Sequence, residues 1–263
     1  MTGKNNRISC TAGVSESIGF LLIFTIVIVG IGLVTLYGYP MLLQQQTGAD
    51  EPIMEKNVIV LQNDVKSLAY KTVPYKETSL KIGGGALTVY NTSFTQAVSK
   101  IDIQNCTVGG NVYVSAFQSG DLRYSSVSAG TDISLKNGAV VMRRHAEPRW
   151  FYDKQKNTMV INLIGFNSTE IMSRTGIGTV QMAMGETHYT YVSPVIRPVC
   201  LVYIPDTTYE GQDYSVAWDN YLRNSMKMSL TANGYQLPID TTNPATNPAT
   251  LVIKKYDAVI KSL

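Results

Sequence analysis

Histidine and cysteine are nearly missing from this chain of 263 residues, which holds 2 and 3 of them. So few imidazoles leave little for histidine-based catalysis or a metal centre. Three cysteines make neither a disulfide-dense framework nor a paired-thiolate zinc module. Charge is also sparse: Asp, Glu, Lys and Arg together are 16% of residues, against roughly 25% in an average globular domain. The 22 basic and 19 acidic residues leave a formal net charge of +3, too weak and too dispersed for an electrostatic nucleic-acid footprint. No nucleic-acid partner is expected.

The usual catalytic signatures are missing as well. Neither His145 nor His188 has a nucleophile turn such as GxSxG nearby. The carboxylates of Asp102, Asp121, Asp132 and Asp153 form no calcium-loop ladder, and Gly83-Gly84-Gly85 lacks the Lys-Ser/Thr that a phosphate loop needs. The glycines therefore read as a turn. Catalytic residues, metal and cofactor are all expected to be none.

One long apolar run stands out. Residues 18–36 read IGFLLIFTIVIVGIGLVTL, and no Asp, Glu, Lys or Arg occurs between Ser17 and Gln46. At 1.5 Å per residue this run reaches roughly 29 Å, close to the hydrocarbon thickness of a bilayer. A secretory signal peptide has a shorter apolar stretch and a small-x-small cut site, and a retained spanning helix fits better. Thr25 and Thr35 can bond back to helix carbonyls, Tyr37 and Tyr39 fall at an interfacial level, and Pro40 is placed to bend or end the helix. Lys4 and Arg7 precede the span, whereas Asp50, Glu51, Glu55 and Lys56 follow it. The positive-inside rule then puts the amino terminus in the cytoplasm and residues 47–263 outside the cell membrane, with the lipid bilayer as partner. Glu16 reads either as a headgroup-level carboxylate or as a partner for a neighbouring subunit's amino terminus.

The segment Ala12-Gly13-Val14-Ser15-Glu16-Ser17-Ile18-Gly19-Phe20, followed by LLIFTIVIVG, resembles the amino-terminal segment of archaeal type IV pilin-like proteins. The resemblance implies that residues 1–13 are a leader and residues 14–46 the anchor helix and its exit. A prepilin-type peptidase would cut between Gly13 and Val14, and Glu16 would act in assembly with copies of itself or other pilin-like subunits. Ala12 stands where that family usually has a basic residue. The chain is also similar to an uncharacterised family of archaeal membrane-anchored surface proteins, through GVSESIGFLLIF, GGGALTVYN and ISLKNGAVVMRR. That likeness implies an architecture and a location, with no activity attached.

Beyond an expected turn at Thr47-Gly48, apolar residues Met54, Val58, Leu61, Val65 and Leu68 recur at helical spacing, predicting an amphipathic helix near 52–70 with Pro52 in its first turn. From Leu80 the period falls toward two. Strands are expected at 86–90, 99–103, 112–117, 140–143, 159–163, 178–184, 188–192, 199–204, 251–253 and 258–260. Asn137-Gly138 is the sharpest hairpin signal. A second helix is expected over 213–228, capped by Asp213, with an apolar face of Val216, Tyr221, Leu222 and Met226 around Trp218. The fold class is therefore α+β: a transmembrane helix continuing into or followed by an amphipathic helix, then a mainly antiparallel, sandwich-like β domain.

Several features of the exterior part bear on function. Arg143, Arg144 and Arg149 with Trp150 form a basic-aromatic cluster that suits lipid headgroups, a glycan or a neighbouring subunit, and equally one strand end with a solvated face. Cys106 and Cys200 fit either one disulfide or two buried thiols. Asn91, Asn105 and Asn167 begin N-x-Ser/Thr sequons. The expected function is a non-enzymatic, membrane-anchored surface subunit of pilin-like or pseudopilin-like type, able to enter surface filaments. A non-polymerising binding domain and, further off, a surface hydrolase are the alternatives.

Overall fold

A computed structural model describes residues 11–71, 73–91, 99–107, 111–126, 130–142, 145–146, 151–153, 157–195, 198–204, 214–237 and 250–263. The chain divides into two units, Met1–Ala49 and Asp50–Leu263.

In the first unit α1, Thr11–Leu33, passes through a π-helical turn at Val34–Gly38 into α2, Tyr39–Lys71. The π turn lies directly before Pro40, whose ring removes one helical hydrogen bond and crowds the carbonyl four residues back. A widened turn absorbs that clash, and the Tyr39 N–H bonds to the Val34 carbonyl. The turn expected at Thr47-Gly48 does not form, because α2 runs through both residues. A glycine inside a helix costs only about 1 kcal/mol and stops nothing alone. Pro52 accordingly sits inside α2 instead of in a first turn.

Among the described residues the second unit carries fourteen strands. Their order begins β1 Tyr75–Tyr90, β2 Lys100–Asn105, β3 Val112–Gln118, β4 Asp121–Ser126, β5 Thr131–Lys136, β6 Ala139–Met142 and β7 His145–Ala146. It continues β8 Phe151–Asp153, β9 Thr158–Ser168, β10 Met172–Val192 and β11 Val199–Ile204. After α3, Ser215–Asn220, come β12 Ser229–Thr231, β13 Gly234–Gln236 and β14 Thr250–Ser262. Nine strands form one sheet in the order β7-β6-β5-β4-β1-β10-β14-β9-β8, and five form another in the order β12-β13-β11-β2-β3. Pairing is antiparallel except between β14 and β9. This is the expected α+β, mainly antiparallel architecture.

Side-chain parity shows that the large sheet is covered on both faces. On β14, Leu251 and Ile253 join one core while Tyr256, Ala258 and Ile260 join another; on β9, Met159, Ile161 and Leu163 separate from Ile164 and Phe166 in the same way. The two strands keep an unbroken register, so odd and even residues must point to opposite faces. One face receives the α2 stripe, with Met54, Val58, Leu61, Val65 and Leu68 all fully buried. The other packs on the five-stranded sheet and on Trp218, Tyr221 and Leu222. Leu61→Ala removes a side chain with no exposure and is expected to destabilise the domain by about 3 kcal/mol in denaturant unfolding. A loss below about 1 kcal/mol would mean that α2 does not seal this core.

The glycine run 83–85 was expected as a turn and lies instead inside β1. It sits where the register with β10 slips between Ile82 and Leu87 and where β1 begins to pair with β4 at Ala86. A Cβ on Gly85 would lie 2.4 Å from the Ser125 carbonyl oxygen and 2.7 Å from the Tyr124 ring, so only glycine lets the two backbones meet. Asn137-Gly138 forms the expected β5–β6 hairpin, with φ of 49° and 69°. The segments expected at 178–184 and 188–192 are one strand, β10, and those at 251–253 and 258–260 are one strand, β14. The second helix is shorter than expected, α3 followed by a π turn at Tyr221–Ser225; Tyr214 takes the N-cap position and Val216 is exposed. Asp213 lies outside the described residues.

Candidate functional site

Three features of the chain carry chemistry, and the first is the apolar helix. The helical stretch Ser17–Leu42 is 26 residues long, with none of its apolar side chains buried. The hydroxyls of Thr25 and Thr35 donate to the carbonyls of Leu21 and Ile31 at 2.7 and 2.8 Å. No polar side-chain group in the middle of the span is thus left for lipid to satisfy, which is the condition for crossing hydrocarbon. Gly13, Val14 and Glu16 all lie within α1.

The second feature is a disulfide between Cys106 and Cys200, with Cα atoms 4.9 Å apart and 94 positions separating them in sequence. Cys200 is in β11, and Cys106 follows β2. The pair Val199↔Asn105 and a 2.9 Å bond from the Cys106 N–H to the Pro198 carbonyl hold the two backbones together at that end. Of the two readings the sequence left open, the structure has the bridge. It ties the neighbouring strands β2 and β11.

The third feature is a buried ionic cluster on the large-sheet face opposite α2. The register Leu122↔Leu135 puts Asp121 directly across from Lys136. Arg123 donates to Asp121 Oδ2 from Nε at 2.9 Å and from Nη2 at 2.5 Å; Lys136 Nζ lies 3.6 Å from the same oxygen, and the Ser134 hydroxyl donates to Oδ1. All four residues are buried. Arg123 also stands 4.8 Å from the Tyr90 ring centroid and Lys136 5.2 Å from that of Tyr214. Burial, the largest single influence, would lower the Arg123 guanidinium, but the charge and hydrogen bonds of Asp121 together with Tyr214 and Tyr90 hold it above its ordinary value. This cluster was not anticipated. Its signal was a β4–β5 hairpin that sets opposite charges across from one another, Asp121 against Lys136.

Two tyrosines tie pH to stability. Burial first, and then the Asp121 charge, raise the Tyr214 phenol; burial and a 2.8 Å hydrogen bond to Asp219 push Tyr235 up to about 12. Both exceed the ordinary value of 10.0, so the stability they contribute is complete below pH 10 and is lost as pH rises through their folded values. Spectrophotometric titration is expected to show the Tyr214 and Tyr235 phenols among those that ionise late, and unfolding midpoints should fall above pH 10. Two ordinary titrations there would contradict the packing around these rings.

Sequence-expected sites are placed unevenly. Arg143, Arg144, Arg149 and Trp150 lie outside the described residues. Asn91 is buried and its amide donates to the Ser168 carbonyl, while Asn105 is buried and accepts a 3.1 Å bond from the Tyr113 hydroxyl. Both sequon side chains are thus engaged in packing within the folded domain. Asn167 is half-buried near the end of β9. His188 Nε2 lies 3.3 Å from Glu186 at the surface. Among the described residues no three His, Cys, Asp or Glu side chains gather in a metal-binding group. Surface depressions among the described residues include one lined by residues of β3 with Lys255 and another by Asn63, Lys66, Ser67, Tyr70 and Lys71 at the end of α2.

A family model described as a family of unknown function, DUF7289, matches residues 13–233, and the chain belongs to that family. No curated protein and no solved structure matches it.

Proposed function

We propose that this member of the DUF7289 family is a non-enzymatic surface subunit, held in the cell membrane by its amino-terminal helix with the β domain outside, and pilin-like in its assembly. The observation that carries the reading is the uncovered apolar helix Ser17–Leu42, charge-free and preceding a domain stapled by a disulfide. The bridge supports the exterior side, because cytosolic thiols are kept reduced. Lys4 and Arg7 before the span support a cytoplasmic amino terminus. In this reading a prepilin-type peptidase cuts after Gly13, and the new Val14 ammonium pairs with Glu16 of a neighbouring copy in the filament. Asn167 is the glycan acceptor, since Asn91 and Asn105 are occupied by packing.

The test is peptide mass mapping of the protein from its native membranes, combined with negative-stain imaging of sheared surface filaments. Mature chains beginning at Val14, a glycan confined to Asn167 and the protein within filaments are the expected results. Chains beginning at Met1, absent from filaments, would replace the assembling subunit with a solitary anchored domain.

A further inference from the structure

Beyond the end of α2, the face of the large sheet that this helix covers continues as an open surface. A bulge in β10 between Met184 and Thr187 shifts its phase against β14, so that Thr187, Tyr189 and Tyr191 fall opposite Tyr256, Lys254 and Val252. Gly185 sits in that bulge, where a Cβ would meet the Asp257 carbonyl oxygen at 3.0 Å and Val259 Cγ2 at 3.2 Å. Bulges often serve to re-aim side chains. Without this one, Tyr189 and Tyr191 would point to the other face; with it they stand on the α2 face, 65% and 69% exposed.

These rings belong to a row. Tyr70 at the end of α2 meets Tyr256 edge to face at 5.7 Å, the Tyr256 phenol is raised by burial first and then by Tyr189, which hydrogen-bonds it, and Lys254 Nζ lies 5.8 Å from the Tyr189 ring centroid. Lys66 and Lys71 line the depression that adjoins Tyr70. Carboxylates on this side are Asp64 on α2, 3.7 Å from Lys76, and Asp153 on β8, across β14 and β9 from the tyrosines, against Lys66, Lys71, Lys76 and Lys254. The surface is therefore basic and hydroxyl-rich, with flat rings held upright at a spacing of about 7 Å along the strand. Among the described strand residues this stretch exposes no large aliphatic side chain of the kind that fills a protein partner's pocket. Its ammonium groups suit carboxylates, and its rings offer stacking faces with a polar tip.

We propose that this face is a docking surface for an acidic polysaccharide, with Tyr189 and Tyr191 stacking on sugar rings and Lys254 meeting a uronate carboxylate. The inference holds whether or not the subunit polymerises. Calorimetric titration of the full chain in detergent micelles with an oligogalacturonate, and with its methyl ester, tests it. The acid is expected to bind in a salt-sensitive way and the uncharged ester roughly tenfold more weakly. Lys254→Gln and the pair Tyr189→Ser with Tyr191→Ser should each lose roughly tenfold in affinity while the unfolding midpoint stays in place. No binding of the acid, equal binding by the variants, or the same patch mapping to anionic vesicles or to a protein instead would overturn it.

Discussion

Replacing Cys106 and Cys200 together by serine is expected to lower the stability of the β-rich unit by about 4–5 kcal/mol. The bridge closes a loop of 94 positions, and the chain-entropy account assigns a loop of that length a large restriction of the unfolded ensemble. Native contacts change little, because β2 and β11 keep their six paired residues. The effect should therefore appear in the unfolded state: the denaturant slope should rise as that state expands, and the midpoint should fall. In thermal terms the loss corresponds to a shift of roughly 10 °C or more for a domain of this size. A double variant within about 1 kcal/mol of the parent would mean that the strands already restrain the chain without the bridge.

Asp121→Ala is expected to cost a similar amount, about 3–5 kcal/mol, for a different reason. The carboxylate is fully buried and is shared by Arg123 and Lys136, themselves almost without exposure. Removing it leaves two cations in a site that water cannot relieve, and the Ser134 hydroxyl loses its acceptor. The sharper test is a replacement of all three charges, Asp121→Leu with Arg123→Met and Lys136→Met. If the loss in the single variant comes from stranded charge, the triple variant should recover most of it, since buried ion clusters are often worth no more than well-packed apolar groups. A triple variant as unstable as Asp121→Ala would instead assign the cluster a specific positioning role for Tyr214 and α3.

Both effects bear on how much was legible in advance. The long apolar run marked the first helix, and periodicity found the α2 stripe and most strand positions, because burial on one face imposes its spacing directly on the sequence. The hairpin at Asn137-Gly138 was legible because both residues need positive φ. The glycine run 83–85 misled, since a backbone crossing and a turn call for the same residue and only the partner strand tells them apart. Thr47-Gly48 misled similarly, one glycine being too small a perturbation to end a helix whose next residues pack on a sheet. Joined strands such as β10 read as two, because the bulge after Met184 breaks the alternation that marks a single strand. The ionic cluster is non-local: Asp121 and Lys136 become a pair only once the β4–β5 register is fixed. Burial of Asn91 and Asn105 likewise depends on Ser168 and Tyr113, which no sequon pattern contains.

The measurement that bears most directly on an anchored exterior domain is thiol labelling of intact cells with a membrane-impermeant maleimide, before and after mild reduction, followed by an alkaline wash of the membranes. The account predicts that Cys106 and Cys200 become labelled only after reduction, that any chain retaining Cys10 is labelled there only after permeabilisation, and that the protein stays with the membrane or filament fraction. Labelling of Cys10 in intact cells with Cys106 and Cys200 protected, or release of the whole chain by the wash, would contradict it.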